Sequence, residues 1–366
     1  MSLSAPLFSV VVPCCNVARY LDDAVASLRA QSCADWECIL FVETSTDETL
    51  ARCESWAARE ARVRVVTGPR SGSPATPRNR GLSLARGRYV IWLDGDDWLA
   101  DEVLARLAAA IRVHGEPDVV QGTATECQED AAGVRTPVRR HVNYRPSDFG
   151  RVLSGEEAEV WFSESPRYIL PMASFSVCRR DFLLAHALTF QPGLKYEDNE
   201  WTARLLTFAR TLLAVDFDVF VYRRRADSIT TVSGTDFPQY AAVVRHLFLF
   251  FAAQRPSRPL ARAWARRYLA FFFDIFFSAR YPVGPEGFSP RARTDCLRRI
   301  LEKGGRRAYL RLTHHAGPLK AMAAPFVLLC GCHPWLDFPA RLYFRVLYYP
   351  LVRWQHRRRT QRERCA

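Results

Sequence analysis

The chain has 366 residues, 49% hydrophobic and 24% charged, which suits two or three globular units and excludes a fibre or a wholly disordered chain. It carries 51 Lys+Arg against 38 Asp+Glu, a net charge of +13 held almost wholly by arginine, and this favours anionic ligands such as phosphates, nucleotides or anionic lipid. No run reaches the ~20 apolar residues of a membrane span, no basic stretch precedes the first apolar run, and the eleven cysteines lack regular spacing. A cytoplasmic protein with reduced thiols and no leader is therefore expected. In chain order, Leu7–Val12 is an apolar β-type run, and Tyr20–Gln31 is a helix with Leu21, Val25 and Leu28 on one face. Cys38–Val42 is a second buried-type strand that ends at the polar cluster Thr44-Ser45-Thr46-Asp47. Glu48–Ala61 reads as a helix, Val63–Val66 as a strand, Arg70–Pro77 as a Gly/Ser/Pro loop and Asn79–Ala85 as a short helix. Tyr89–Leu93 is a fourth strand, stopping at Asp94-Gly95-Asp96-Asp97, and a helix is expected over 99–112.

Continuous apolar strands separated by helices predict a parallel sheet covered on both faces. Ligands of such sheets sit beyond the carboxyl ends of the strands, so the clusters at 43–47 and 94–97 should face one crevice. From Gly115 the pattern changes. Residues 126–165 are polar, with loops and edge-type segments, Phe175–Cys178 is a strand, Asp198–Phe208 an amphipathic helix and Leu212–Tyr222 a long strand or strand pair. A boundary is expected at 233–238, and beyond it the chain is helical and aromatic. The run Tyr268–Phe277 reads as core between helices, and Cys330-Gly331-Cys332-His333 lacks the second ligand pair of a zinc site.

Asp94-Gly95-Asp96 places two carboxylates two residues apart at the end of a buried strand, a costly arrangement without a cation. Gly95 permits a tight turn there, and Asp97 suits a cap for the helix 99–112. Asp198 stands at the start of a helix, where the helix N-terminus keeps a carboxylate ionised. In extended chain Arg223 and Arg225 share a face, and Arg224 points away.

These blocks resemble the family 2 glycosyltransferases. VVPCCNVARYL (11–21) is similar to the family's opening strand, loop and helix, and WECILFVETSTDET (36–49) to its second strand and acidic turn. PRNRGLSLARGRYVIWLDGDDWL (77–99) is similar to its central block with the Asp-x-Asp motif, YEDNEW (196–201) to its Glu-Asp motif, and YRRRADSIT (222–230) to its late diphosphate-binding segment. One Asp-x-Asp alone is weakly specific; five ordered blocks over residues 7–231 are strongly so.

The resemblance implies an α/β fold of the GT-A type with a mainly parallel central sheet and a helical C-terminal module. It implies a transferase domain over 1–231, with a nucleotide-binding half 1–115 and an acceptor half 116–231, and a helical region over 232–366. It carries over donor-binding roles to Pro13, Glu43, Arg78, Asn79, Asp94, Arg223, Arg225 and Ser228. Asp96, with Asp94, would hold a divalent cation (Mn2+ or Mg2+), Asp198 would be the catalytic base, and Glu197 would touch acceptor. The implied activity is inverting transfer of a sugar from a nucleotide-sugar donor to a hydroxyl. Its acceptor would be a saccharide, a polyol-phosphate polymer or a lipid-linked acceptor of the bacterial envelope.

One departure stands out. Val42 falls where the family's uridine nucleotide users carry the first Asp of the acidic turn, and Glu43 falls on the second. Three readings stay open: Glu43 substitutes, the base is not uracil, or donor binding is weak. On the second reading Val42→Asp weakens donor binding; on the third it restores a uridine contact. A catalytically silent nucleotide-binding or membrane-surface scaffold is the competing reading, and a nucleotidyltransferase would leave the Glu-Asp block unexplained. The tail Phe338–Arg364 interleaves aromatics with arginine, eight Arg and one Glu from 341 to 364. It suits an anionic membrane surface at the inner face of the plasma membrane, or equally a helix packed on the body; no nucleic-acid module is recognised.

Overall fold

A computed structural model describes residues 5–130, 133–165, 171–225, 237–277, 290–302, 304–316 and 327–328. The chain forms two compact units, Met1–Gly155 with Ile169–Ser228, and Glu156–Tyr168 with Ile229–Ala366.

The first unit opens with β1 (Phe8–Cys14), α1 (Leu21–Arg29), β2 (Trp36–Glu43), α2 (Thr49–Arg59), β3 (Val63–Gly68), α3 (Ala75–Leu84) and β4 (Tyr89–Trp92). The four strands pair in parallel, as their continuous apolar character predicts, and the structure sets them in the order β3-β2-β1-β4. Strand alternation sends Val10, Val12, Cys14, Cys38, Leu40 and Val42 into one core with Leu21, Val25 and Leu28 of α1. On the opposite face α3 lies directly on β1: a Cβ on Gly81 would meet Val11 Cγ1 at 2.2 Å. That close approach seats Arg78, one turn earlier on the same helix face, beneath the strand ends. Helix α3 begins at Ala75, within the segment 70–77 expected as loop, because Pro74 supplies a helical φ of −66° at its start.

After β4 come β5 (Trp98–Leu99), α4 (Val103–Val113), β6 (Val119–Glu129), β7 (Arg135–His141) and β8 (Val152–Leu153), then α5 (Gly155–Glu164), β9 (Ser176–Arg179), α6 (Arg180–Ala185), α7 (Glu197–Phe208) and β10 (Leu212–Arg224). The sheet continues β4-β9-β6-β10-β5, with β7 on β6 and β8 on β10. Strand β9 is antiparallel to both neighbours, so the sheet is mixed beyond β4. Strand β10 is one long strand with irregular register between Ala214 and Phe220. The polar region 126–165 holds the β6–β7 pairing and the helix α5, which its weak apolar pattern did not announce.

The helix expected over 99–112 starts later, at Val103. Trp98 and Leu99 pair instead with Val221 and Phe220 of β10, and Ala100 N–H donates to Val219 O at 3.2 Å. The chain stays extended to Glu102, whose φ of 55° turns it into α4. Cross-strand pairing thus overrides helical periodicity and pins the turn 94–97 beside the end of β10.

In the second unit α5 packs with α8 (Phe237–Ala253), α9 (Arg258–Phe277), α10 (Pro290–Leu301) and α11 (Gly305–His314). Its core is aromatic: Phe251 stacks on Trp264 at 4.3 Å, and Phe248, Phe272 and Tyr309 meet within 6 Å of one another. The expected core role of the run 268–277 holds for Tyr268, Leu269, Phe272 and Phe273, all buried. Buried Glu159 of α5 accepts from Arg267 at 2.8 Å. Among the described residues no helix is long and apolar enough to cross a membrane. The tail 338–364, the boundary residues 233–236 and the cluster 330–333 lie outside the described residues.

Candidate active site

Parallel pairing carries the carboxyl ends of β1, β2 and β4 to one edge of the sheet. The cluster after β2 is used there as a clamp. Asn16, at φ 52°, accepts Thr46 N–H at 2.8 Å, Asp47 accepts Ala18 N–H at 3.0 Å, and Thr49 accepts Val17 N–H at 2.9 Å. These bonds fix the β1–α1 loop. The turn Asp94-Gly95-Asp96 sits against that loop. A Cβ on Gly95 would lie 3.0 Å from Pro13 O and 3.1 Å from Val17 Cγ2, so only glycine fits without displacement. Pro13 therefore borders the acidic turn through its carbonyl.

The centre of the site is Arg78. Its side chain is 2% exposed. Nη2 donates to Asp94 Oδ1 at 2.7 Å, and Nη1 donates to Glu197 Oε1 at 2.7 Å and to Asp198 Oδ1 at 2.9 Å. One guanidinium thus ties the Asp-x-Asp turn to the start of α7. Phe190 lies under it, 5.2 Å from ring centre to guanidinium, and stacks on Trp201 at 4.6 Å; Trp92 of β4 packs edge-on to both. Trp201 Nε1–H donates to Leu188 O at 3.0 Å, which anchors α7 on this aromatic floor. Tyr196, at φ 59°, turns the chain so that Glu197 and Asp198 occupy the first turn of α7.

Helix α7 starts at Glu197, and Asp198 is its second residue rather than the residue before it. Burial raises the Asp198 pKa, Asp94 adds to the rise, and Arg78 and the Ala173 N–H oppose it. The helix terminus is thus not the only influence on this acid, since burial acts in the opposite direction. Asp198 remains 21% exposed, so a substrate proton can reach it. Burial and the neighbouring Asp198 push Glu197 up to about 8 against the pull of Arg78.

The other sequence-predicted residues fall as follows. Asn79 spans the backbone of Phe190, donating to its O at 2.7 Å and accepting its N–H at 2.8 Å. Glu197 is buried on Arg78. Glu43 is buried and accepts Ser71 N–H at 3.1 Å and the Ser71 hydroxyl. Arg223 is buried: its N–H donates to Asp97 Oδ1 at 2.8 Å, Nε donates to Asp96 O at 2.8 Å, and its other nitrogens reach Glu129 and Asp23. Asp97 is therefore held by β10 and caps no helix, and burial drives its pKa well up. Arg225 lies 2.8 Å from Asp96 Oδ2 through Nε. Arg224 points away and pairs with Glu126, as the extended chain predicts. Ser228 lies outside the described residues. Asp23, Tyr20 and Glu129, which brace Arg223, gave no sequence signal, because each looks like an ordinary surface residue of its element.

Val42 belongs to the hydrophobic core, on the face of β2 opposite Glu43. The expectation that Asp at 42 could reach a nucleobase therefore meets a packing objection. Val42→Asp is expected to lower stability by roughly the 2–7 kcal/mol of an unpartnered buried polar group. Thermal unfolding of the variant measures this, and an unchanged melting temperature would show that the side chain can turn outward.

Residues 9–181 match the model of Glycosyl transferase family 2. This segment, 9–181, belongs to that glycosyltransferase family. Glycosyltransferase GlyG of Streptococcus pneumoniae is 26% identical over 223 residues, covering 61% of this chain and 72% of that one. Among solved structures, S. aureus TarS 1-349 in complex with UDP-GlcNAc superposes with a TM-score of 0.70 at 19% identity, covering 92% of this chain and 91% of that one. The mannosyltransferase PcManGT of Pyrobaculum calidifontis, in complex with GDP-Man and Mn2+, gives a TM-score of 0.50 at 16% identity, over 93% and 87% of the two chains. The transferase fold is the α/β GT-A fold with helices after it.

Proposed function

We propose that this glycosyltransferase is a metal-dependent inverting enzyme that moves a sugar from a nucleoside-diphosphate donor to a hydroxyl acceptor. The observation that carries the reading is the junction at Arg78. It brings the Asp-x-Asp turn and Asp198 to one guanidinium, although they lie 16 and 120 residues from Arg78 in sequence.

Asp94 and Asp96 are the residues that would hold a divalent cation. Among the described residues no group of three or more His, Cys, Asp and Glu forms a complete metal shell. Two hard carboxylates suit magnesium or manganese, which take one or two carboxylates and complete their shell with substrate phosphate and water. The structure bears on the fit: burial and Asp94 raise the Asp96 pKa, and Asp97 Oδ2 is buried without a hydrogen-bond partner. A cation bound there supplies Lewis-acid neutralisation of the departing diphosphate.

The chain's own residues do the rest. Asp198 accepts the proton as the acceptor O–H bond breaks. The oxygen forms its bond to the anomeric carbon while the carbon–oxygen bond to the diphosphate breaks, its electron pair leaving with the nucleoside diphosphate. Attack from the far side inverts configuration. A raised pKa suits Asp198 to this task, since a base is most effective near the working pH. Arg78 holds Asp198 and Asp94 in register as a positioning residue. Glu43 with Ser71, and Pro13, border the donor side; Glu197 orients the first turn of α7 towards acceptor. Arg225 is the arginine placed to meet the diphosphate, with Ser228 assigned to the same segment.

Two relatives in fold were solved with UDP-GlcNAc and with GDP-Man and Mn2+, which supports a nucleotide-sugar donor and a cation. An envelope polymer or glycolipid is the proposed acceptor. The described cysteines are free thiols, which supports a cytoplasmic site, and the basic aromatic tail is the proposed contact with the inner membrane face. We keep 1–231 as the transferase domain, in halves 1–115 and 116–231, and 232–366 as the helical region. Asp96→Ala tests the metal assignment. Nucleoside diphosphate affinity, measured by calorimetry with and without manganese, should lose its metal dependence while the melting temperature holds. Metal dependence equal to wild type would overturn the assignment.

A further inference from the structure

The second unit carries a charged face that the transfer reaction does not use. Helix α11 buries Gly305, Ala308, Tyr309 and Leu312, and Tyr309 packs on Phe248 and Phe272. Its other side presents Arg306, Arg307, Leu310, Arg311 and His314, all exposed and spaced as one helical face. The last turn of α10 leads into this face. Arg298 and Arg299 are exposed there, and Gly304, at φ 94°, turns the chain into α11, which packs on α10. Asp295 and Glu302 are the only acids in the sequence from 290 to 316. Asp295 takes Arg298 at 3.3 Å, Glu302 is exposed, and Arg311 donates to Ala252 O at 2.6 Å. Among the described residues, Arg299, Arg306 and Arg307 meet no carboxylate at ion-pair distance. Arg306 and Arg307 also stand in the first turn of α11, where the helix macrodipole disfavours cations. Burial lowers the His315 pKa, and His314, Arg262 and Arg311 lower it further. Cations crowded in this way repel unless an anion joins them.

We propose that the exposed face of α10 and α11 docks on a bilayer of anionic lipid, its arginines among the headgroup phosphates and Leu310 at the edge of the acyl region. Charge complementarity selects an anionic partner, and guanidinium forks match phosphate oxygens. Leu310 selects lipid among anionic partners. It is 43% exposed in the midst of the arginines, where a soluble polyanion offers no apolar contact and a bilayer interface does. The larger apolar face of α11 is packed inward, so the contact is shallow and mainly electrostatic. It belongs to the folded unit rather than to the tail 338–364, and it does not depend on the transfer reaction proposed above.

The test uses the full chain and vesicles of phosphatidylglycerol and phosphatidylcholine in equal parts, read by co-sedimentation at low salt. The double variant Arg306→Gln, Arg307→Gln should bind them more weakly, by roughly fivefold per arginine removed. The double variant Arg29→Gln, Arg112→Gln removes equal charge from exposed sites on α1 and α4 and should stay within about twofold of wild type. Leu310→Ser should weaken vesicle binding several-fold and leave binding of soluble inorganic polyphosphate unchanged. All the substituted side chains are exposed, so melting temperatures should match wild type. Equal losses in the two double variants would report net charge and overturn the proposal. Wild-type vesicle binding by Arg306→Gln, Arg307→Gln would assign the contact to another part of the chain and overturn it too. If Leu310→Ser matches wild type while the arginine pair loses vesicles and polyphosphate alike, the face serves a soluble polyanion and the lipid assignment falls. Failure of the wild-type chain to bind anionic vesicles overturns it outright. The transfer reading stands or falls separately, on the manganese dependence of Asp96→Ala.

Discussion

Asp198→Asn is expected to leave the donor site intact and lower turnover by roughly the hundred- to ten-thousand-fold typical of losing a general base. The amide keeps an oxygen to accept from Arg78 Nη1, the hydrogen bond that holds the native carboxylate. It has no lone pair basic enough to take the acceptor proton. Donor affinity, read by calorimetry with nucleoside diphosphate and manganese, should stay within a few-fold of wild type. Single-turnover sugar transfer should show the loss. A variant whose rate and donor affinity fell in parallel would place Asp198 in the architecture of the site instead.

Arg78→Met should be the most destabilising single change in the first unit. The methionine fills much of the same volume over Phe190 but leaves Asp94, Glu197 and Asp198 facing each other without a cation. Removing one partner of a buried ion pair typically costs about 3–5 kcal/mol, because the charge left behind cannot recover its water. Glu197 is the most buried of the three, but with its carboxyl pushed up to about 8 it is already largely protonated near neutrality, so the cost falls chiefly on Asp198 and Asp94. Chemical denaturation measures the difference. Arg78→Lys should fall between, since an ammonium keeps the charge but cannot fork across three acids. Wild-type stability in Arg78→Met would mean that the acids disperse or take up protons at little cost, and the hub would lose its significance.

In the sequence Arg78 is legible only as part of a motif. PRNRG marks a helix start near a sheet edge and, by resemblance, a donor contact. That the side chain turns inward to three acids follows from Gly81, which lets α3 lie on β1, and from an α7 that arrives more than a hundred residues later. Arg223 shows the same limit. The alternation of 223, 224 and 225 was readable, and the structure keeps it. Its partners were not, since Asp23 sits 200 residues away on α1.

By itself the sequence determined the local and periodic features of this glycosyltransferase: four apolar strands suited to parallel pairing, the helices between them, the acidic turn at the end of β4, and the helix carrying Asp198. Each rests on nearest neighbours along the chain, where hydrophobic spacing and turn residues act directly. Only the tertiary structure decided what each charged group faces. It put Val42 in the core, drew Trp98 and Leu99 onto β10 so that α4 begins at Val103, and turned Asp97 from a helix cap into a buried acceptor of the Arg223 N–H. The physical reason is that a buried charge takes whichever partner folding brings within about 3 Å. That partner is set by strand order and helix packing, which no local pattern encodes.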